Sequence, residues 1–137
     1  MKRDFYLSSI GIPVTEEYDF SYAGSSGYAE IIDCKIAFFR KNRSDLLDAF
    51  SFIEIKPEEF DFCNCILEEI GFPVKFGDSL DKVRELFGTE NSVDTFFENY
   101  DRYNYSGKNP YMTFCAEKNI IVGIDVIFSN EIISGLL

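Results

Sequence analysis

The chain has 137 residues, and its 24 Asp and Glu against 13 Lys and Arg leave a net charge of −11 with no histidine at all. Without histidine the usual general base and the commonest metal ligand are gone, and the charge repels nucleic acid and anionic membranes while attracting basic partners. A hydrophobic content of 46%, with 15 Phe and 8 Tyr, excludes a disordered acidic tail and suits one domain spanning 1–137.

Met1 to Tyr6 carries two basic residues with no apolar run after them, so no signal peptide is expected. The longest apolar stretch, 120–128, contains Asp125 and is too short to span a bilayer. The expected compartment is the cytoplasm, with Cys34, Cys63, Cys65 and Cys115 as free thiols. Tyr22 to Tyr28, rich in Gly and Ser, reads as a flexible loop. Ile31 to Arg40 alternates as a strand with Ile32, Cys34, Ile36 and Phe38 inward. Ser44 to Asp48 suits a short helical turn or a loop, and Phe50 to Lys56 a strand stopped by Pro57.

Pro57 then suits the first position of a helix, with Glu58, Glu59 and Asp61 at its positive end. Cys63, Ile66, Leu67 and Ile70 share one helical face, and Gly71 and Pro73 end the element. A second helix starts at Asp78, carries a stripe of Leu80, Val83, Leu86 and Phe87, and stops at Gly88. Thr95 to Asn99 suits a strand better than a helix, and Arg102 to Ser106, Tyr111 to Ala116 and Ile120 to Phe128 read as strands. Asn119 suits the hairpin between the last two. In the last strand Ile120, Val122, Ile124, Val126 and Phe128 should face the core, leaving Asp125 and Gly123 opposite. The predicted fold class is α+β, a single domain with a curved antiparallel sheet and two or three helices on one face. Ile10 to Val14 and Ile70 to Val74 share a Gly-x-Pro pattern, which fits two independent helix stops better than a duplication.

Chemistry is sparse. A nucleophilic triad cannot be built without histidine, though Ser-Lys and Cys-based variants stay open. Neither a phosphate-binding loop nor a zinc-protease motif occurs. Cys63 and Cys65 are too close, and lack a second pair, for a zinc site. The pairs Glu16/Glu17, Glu58/Glu59 and Glu68/Glu69 are adjacent residues, whereas acid–base catalysis needs carboxylates facing one another across a cleft. Neither catalytic residues, nor a metal, nor a cofactor is expected, and the chain does not read as an enzyme. Lys35, Arg40, Lys41 and Arg43 beside Phe38 and Phe39 resemble a base-stacking surface, but the net charge opposes a polyanion.

The acidic segments form the candidate partner-binding set. They are Glu16, Glu17 and Asp19 around Tyr18, then Glu58, Glu59 and Asp61, then Asp94, Glu98 and Asp101 with Tyr100 and Tyr103. Tyrosine offers rigid contact area with a polar tip, and carboxylates pair with Arg and Lys of a basic partner. Against this stands the plain alternative that acids keep a surface hydrated.

The stretch Gly77-Asp78-Ser79-Leu80-Asp81-Lys82-Val83-Arg84-Glu85-Leu86-Phe87-Gly88, followed by Tyr-rich strands and the closing hairpin, resembles a pattern in small bacterial toxin-immunity proteins. It is similar, too, to the helix-plus-sheet modules of beta-lactamase inhibitory proteins and of outer-membrane assembly lipoproteins, although the lipoprotein signal is missing. The resemblance spans Phe76 to Phe128 and implies a helix on a curved antiparallel sheet that binds other proteins. The expected function is an immunity protein that neutralises a basic toxin domain, a nuclease, by occluding its active site. The alternatives are a generic protein-interaction domain and a small-molecule-binding domain with an aromatic pocket. A homodimer stays open.

Overall fold

Strict alternation along the strands sorts their side chains onto two faces, and the register shows how those faces join. The computed structural model describes residues 1–22, 25–43, 46–107 and 109–128, with backbone alone at 21, 22, 25 and 26. Eight strands form one open antiparallel sheet. They are β1 (Glu16–Tyr22), β2 (Ser25–Ile32), β3 (Ile36–Arg40), β4 (Leu47–Phe52), β5 (Ser92–Asp94), β6 (Asp101–Tyr105), β7 (Tyr111–Glu117) and β8 (Ile120–Ile127). Their spatial order is β1-β2-β3-β4-β8-β7-β6-β5. Each half of the chain is a four-stranded meander, and the last strands of the two meanders pair along Ala49–Phe52 and Ile124–Ile127. The fold is α+β, with two helices, α1 (Phe60–Ile70) and α2 (Leu80–Phe87), inserted between β4 and β5.

One face of the sheet is the core face. Ile36, Phe38, Phe50, Phe52, Met112, Phe114, Ile124 and Val126 meet Cys63, Ile66, Leu67 and Ile70 of α1 and Leu80 and Val83 of α2 in one buried cluster. Aromatic rings knit the layers together: Phe72 packs edge-on to Phe50 and stacked on Phe114, and Phe87 stacks on Phe114. The fully buried rings Phe50, Phe72 and Phe114 each contribute about 1.5–3 kcal/mol through burial.

The helix punctuation follows the expected chemistry. Pro57–Glu59 is a 3-10 turn running into α1, and Gly71 closes α1 in the left-handed conformation at φ 74°. The cap of α2 is Ser79, whose Oγ accepts from the Lys82 N–H, while Asp78 accepts from the Lys75 N–H instead. Leu86 is exposed rather than part of the buried stripe.

Among the described residues no α-helix covers the core face over β2 and β3 at the β1 edge; the N-terminal segment, with a 3-10 turn at Ser8–Ile10, does so instead. Phe5 and Leu7 are buried there. Glu30 of β2 accepts from the Leu7 N–H at 2.8 Å and the Ser8 N–H at 3.3 Å, and Arg40 of β3 donates to the Phe5 carbonyl at 2.6 Å. Arg40 also lies 4.1 Å from the centre of the Tyr6 ring.

Several expectations are corrected. Much of the Tyr22 to Tyr28 loop is strand, with β1 and β2 pairing as a hairpin whose tip, 23–24, lies outside the described residues. The strand expected over Ile31 to Arg40 is two strands, because Asp33 and Cys34 adopt positive φ and turn the chain. Cys34 is therefore exposed, not inward. β4 starts at Leu47, so the latter part of the expected Ser44 to Asp48 turn is strand, while 44–45 lie outside the described residues. It ends at Phe52, short of Lys56, with Glu54 at φ 48°. The edge strand is Ser92–Asp94, and Thr95 to Asn99 is irregular. In β8 a register shift opposite Cys115/Ala116 turns Ile121 into the core and leaves Ile120 exposed.

Candidate binding surface on the open face of the sheet

Among the described residues, no helix packs on the second face of the sheet, and the cross-strand registers lay it out in rows. The first row is apolar and aromatic, running Tyr18, Ala29, Phe39, Ala49, Ile127 and Tyr111. Phe20 stands over one end of this row, edge-on to Tyr18 and to Phe39. Gly27 makes room for it: a Cβ there would lie 2.5 Å from the Phe20 ring.

The second row is polar and continues from strand to strand as Ser92, Asn104, Thr113, Asp125 and Ser51. Asn104 Nδ2 donates to Ser92 at 3.2 Å and to Asp94 at 3.1 Å, and Thr113 donates to the side-chain Oδ1 of Asn104 at 3.0 Å. Ser51 donates to Oδ1 of Asp125. Burial raises the Asp125 carboxyl above its ordinary 3.8; the Ser51 hydrogen bond and the charge of Arg102 offset part of that rise.

The third row is Asp94, Arg102, Cys115 and Gly123. Arg102 makes no ion pair or hydrogen bond among the described residues, and its Nε is buried without a partner. It is held by aromatics: its guanidinium lies 5.6 Å from the Phe97 ring centre, and Phe97 stacks on Tyr100 at 5.0 Å. Phe96, 78% exposed, packs against Phe97 at the rim.

Two hollows open onto this face and share Arg102 and Asp125. The larger, about 410 Å³, has walls of Phe20, Phe39, Tyr111 and Ile127 and a polar end of Ser51, Thr113, Asp125 and Arg102. The smaller, about 170 Å³, is bounded by Ile53, Glu54, Tyr100, Cys115 and Val122. A longer groove of about 820 Å³ lies beyond Tyr100, between the Lys56–Pro57 turn and the β7–β8 hairpin.

The residues singled out in the sequence fall in three places. Glu16, Glu17 and Asp19 are on the edge strand β1, and Glu16 with Tyr18 shares the side of the open face. Glu17 and Asp19 point to the other side, where Glu17 accepts from the Tyr28 hydroxyl and Asp19 pairs with Arg43 at 3.4 Å. Glu58 and Asp61 are exposed at the start of α1. Glu59 is held below its ordinary value by the Lys35 ammonium at 2.6 Å and by the Lys56 N–H. Asp94 borders the open face at the opposite edge of the sheet, with Glu98 exposed in the following loop. Asp101 and Tyr103 point to the helix side, where Arg84 covers the Tyr103 ring at 5.5 Å. Tyr100 alone of this set lines the hollows. The acidic segments are thus not one patch, because β1 and β5–β6 are opposite edges of the sheet.

Lys35, Arg40 and Arg43 of the basic cluster are engaged within the chain. Lys35 pairs with Glu59, Arg40 is buried, and Arg43 lies over the Tyr28 ring at 4.0 Å. Cys63 and Cys65 lie on different faces of α1, one buried and one exposed. Of the residues that build the open face, Phe20, Ser51, Arg102, Tyr111, Thr113 and Ile127 were not selected from the sequence, and Phe39 was noted only beside the basic cluster. The available signal was the outward half of each alternating strand, where aromatic residues stand in place of the polar ones a solvated face would carry.

No helix of the described residues is long and apolar enough to cross a membrane. Compared with protein-family models, with curated proteins and with solved structures, the chain finds no match.

Proposed function

We propose that the protein is a non-catalytic binding module whose open sheet face receives a basic protein partner, and that its role is that of an immunity protein. It would neutralise a toxin domain, a nuclease, by covering that domain's active site. The observation that carries this reading is the aromatic row Tyr18–Phe39–Tyr111, uncovered by any helix among the described residues, with Glu16 beside its β1 end and Asp94 at the far edge strand of the same face. Aromatic residues in a shallow depression are the usual energetic centre of an interface, and a chain of charge −11 draws a basic domain toward it. A contiguous apolar surface of this kind is characteristic of a place where another molecule sits.

The test is binding to a basic toxin domain encoded beside this chain, at physiological salt. Complex formation at low micromolar concentration, lost in Phe39→Ala and Tyr111→Ala, supports the reading; no complex overturns it. Binding without inhibition of the toxin would point to a generic protein-interaction domain. A second reading has its own observation in the 410 Å³ hollow, whose size and mixed lining suit a small molecule.

A further inference from the structure

Arg102 and Asp125 carry opposite charges, line the same two hollows, and do not pair with each other. The buried Nε of Arg102 has no hydrogen-bond partner among the described residues, and a buried donor left unbonded is costly and calls for a physical account. The guanidinium lies 5.6 Å from the Phe97 ring centre, and the Ser51 hydroxyl bonds one oxygen of Asp125, while the second oxygen makes no hydrogen bond among the described residues. A cation and an anion are thus held apart at the polar end of a hollow whose other walls are aromatic and aliphatic.

We propose that this hollow binds a free α-amino acid with an apolar side chain, its carboxylate at Arg102 and its ammonium at Asp125. The side chain would lie among Phe20, Phe39, Tyr111 and Ile127. Charge selects this class. A simple anion would have to approach against a charge of −11 and then sit beside Asp125, and a simple cation would meet Arg102. A zwitterion carries no net charge and satisfies both groups at once. A volume of about 410 Å³ lies within the range of small-ligand sites and accommodates a leucine- or phenylalanine-sized molecule. The inference goes beyond the docking of a protein partner and does not depend on it, since the hollow is formed by this chain alone.

The experiment is calorimetric titration of the full chain with L-leucine and L-phenylalanine. The controls are 3-phenylpropanoate, which lacks the ammonium, and phenethylamine, which lacks the carboxylate. Saturable binding of an amino acid is expected, at least about tenfold weaker for either control. Arg102→Gln should weaken the amino acid by about tenfold or more. Asp125→Asn should do the same, yet improve 3-phenylpropanoate by relieving its repulsion. Absence of saturable binding up to about 10 mM, a range that covers even millimolar affinity, overturns the proposal. Equal affinity for the controls, or binding unchanged in both variants, overturns it as well. These titrations need no protein partner, so a failure here leaves the toxin-binding test standing on its own.

Discussion

Glu30 and Arg40 face each other at 4.0 Å inside the protein, yet each is bonded more closely to the N-terminal segment than to its opposite charge. The carboxylate binds the N–H groups of Leu7 and Ser8, and the guanidinium binds the carbonyl of Phe5. The pair therefore works as a clamp that lays Phe5 and Leu7 onto β2 and β3, which no α-helix of the described residues covers. Glu30→Ala would remove the charge opposite a buried guanidinium and leave two N–H donors without their acceptor. A loss of about 3–5 kcal/mol is expected in urea unfolding, with faster hydrogen exchange confined first to the amides of residues 3–12.

Phe20 over Gly27 gives a second expectation. A methyl group at 27 would meet the ring at 2.5 Å, so Gly27→Ala should cost about 1–3 kcal/mol by overpacking. Adding Phe20→Ala to it should recover most of that loss. Additive losses in the double-mutant cycle would mean that the two residues do not touch.

Asp125 titrates against the fold. Burial raises its value in the folded chain above the ordinary 3.8, so the folded state holds the proton more tightly than the unfolded state. Its contribution is fully present below the unfolded value and is lost as pH rises through the folded one. Asp125→Asn keeps an acceptor for Ser51 and removes the titration. The stability of the wild type relative to this variant should fall as pH rises from about 4 through the folded value of Asp125, and then level off.

Glu90 behaves in the opposite way. Its pairing with Arg84 at 2.7 Å lowers its value below the ordinary 4.5. That contribution is present above the unfolded value and disappears as pH falls through the folded one. Glu90→Gln should therefore matter at neutral pH and have no effect in strong acid, as read from Tm.

The four thiols should divide evenly. Burial pushes Cys63 and Cys115 up to about 12, while Cys34 and Cys65 are exposed. A colourimetric thiol reagent at pH 8 should titrate two groups quickly and the other two only after denaturation, because the thiolate is the reacting species.

The parts of the fold governed by local chemistry were legible in the sequence. Gly71 ends α1, Lys118 and Asn119 turn the last hairpin at positive φ, and Cys63, Ile66, Leu67 and Ile70 are buried together. The first half was less so. Asp33 and Cys34 adopt a turn that alternating hydrophobicity runs straight through, and Glu30 is wholly buried because of a segment some 23 residues away. The open face was hidden for the same reason. Arg102, Thr113, Asp125 and Ser51 come from four strands: the second meander brings the first three together, and only the pairing of β4 with β8 adds Ser51. Acidity, in contrast, was plain in the composition but uninformative about place, since the carboxylates sit at both edges of the sheet.

The joint between β4 and β8 is a short one, with four residue pairs, and its Ser51–Asp125 bond spans 74 positions of chain. Each meander can zip up from its own hairpins, whereas this seam must wait for the largest loop in the molecule to close. Refolding should accordingly be gated by the encounter of two preassembled half-sheets. Weakening the seam would slow the forward rate, while cuts to the outer hairpins would mainly speed the reverse one.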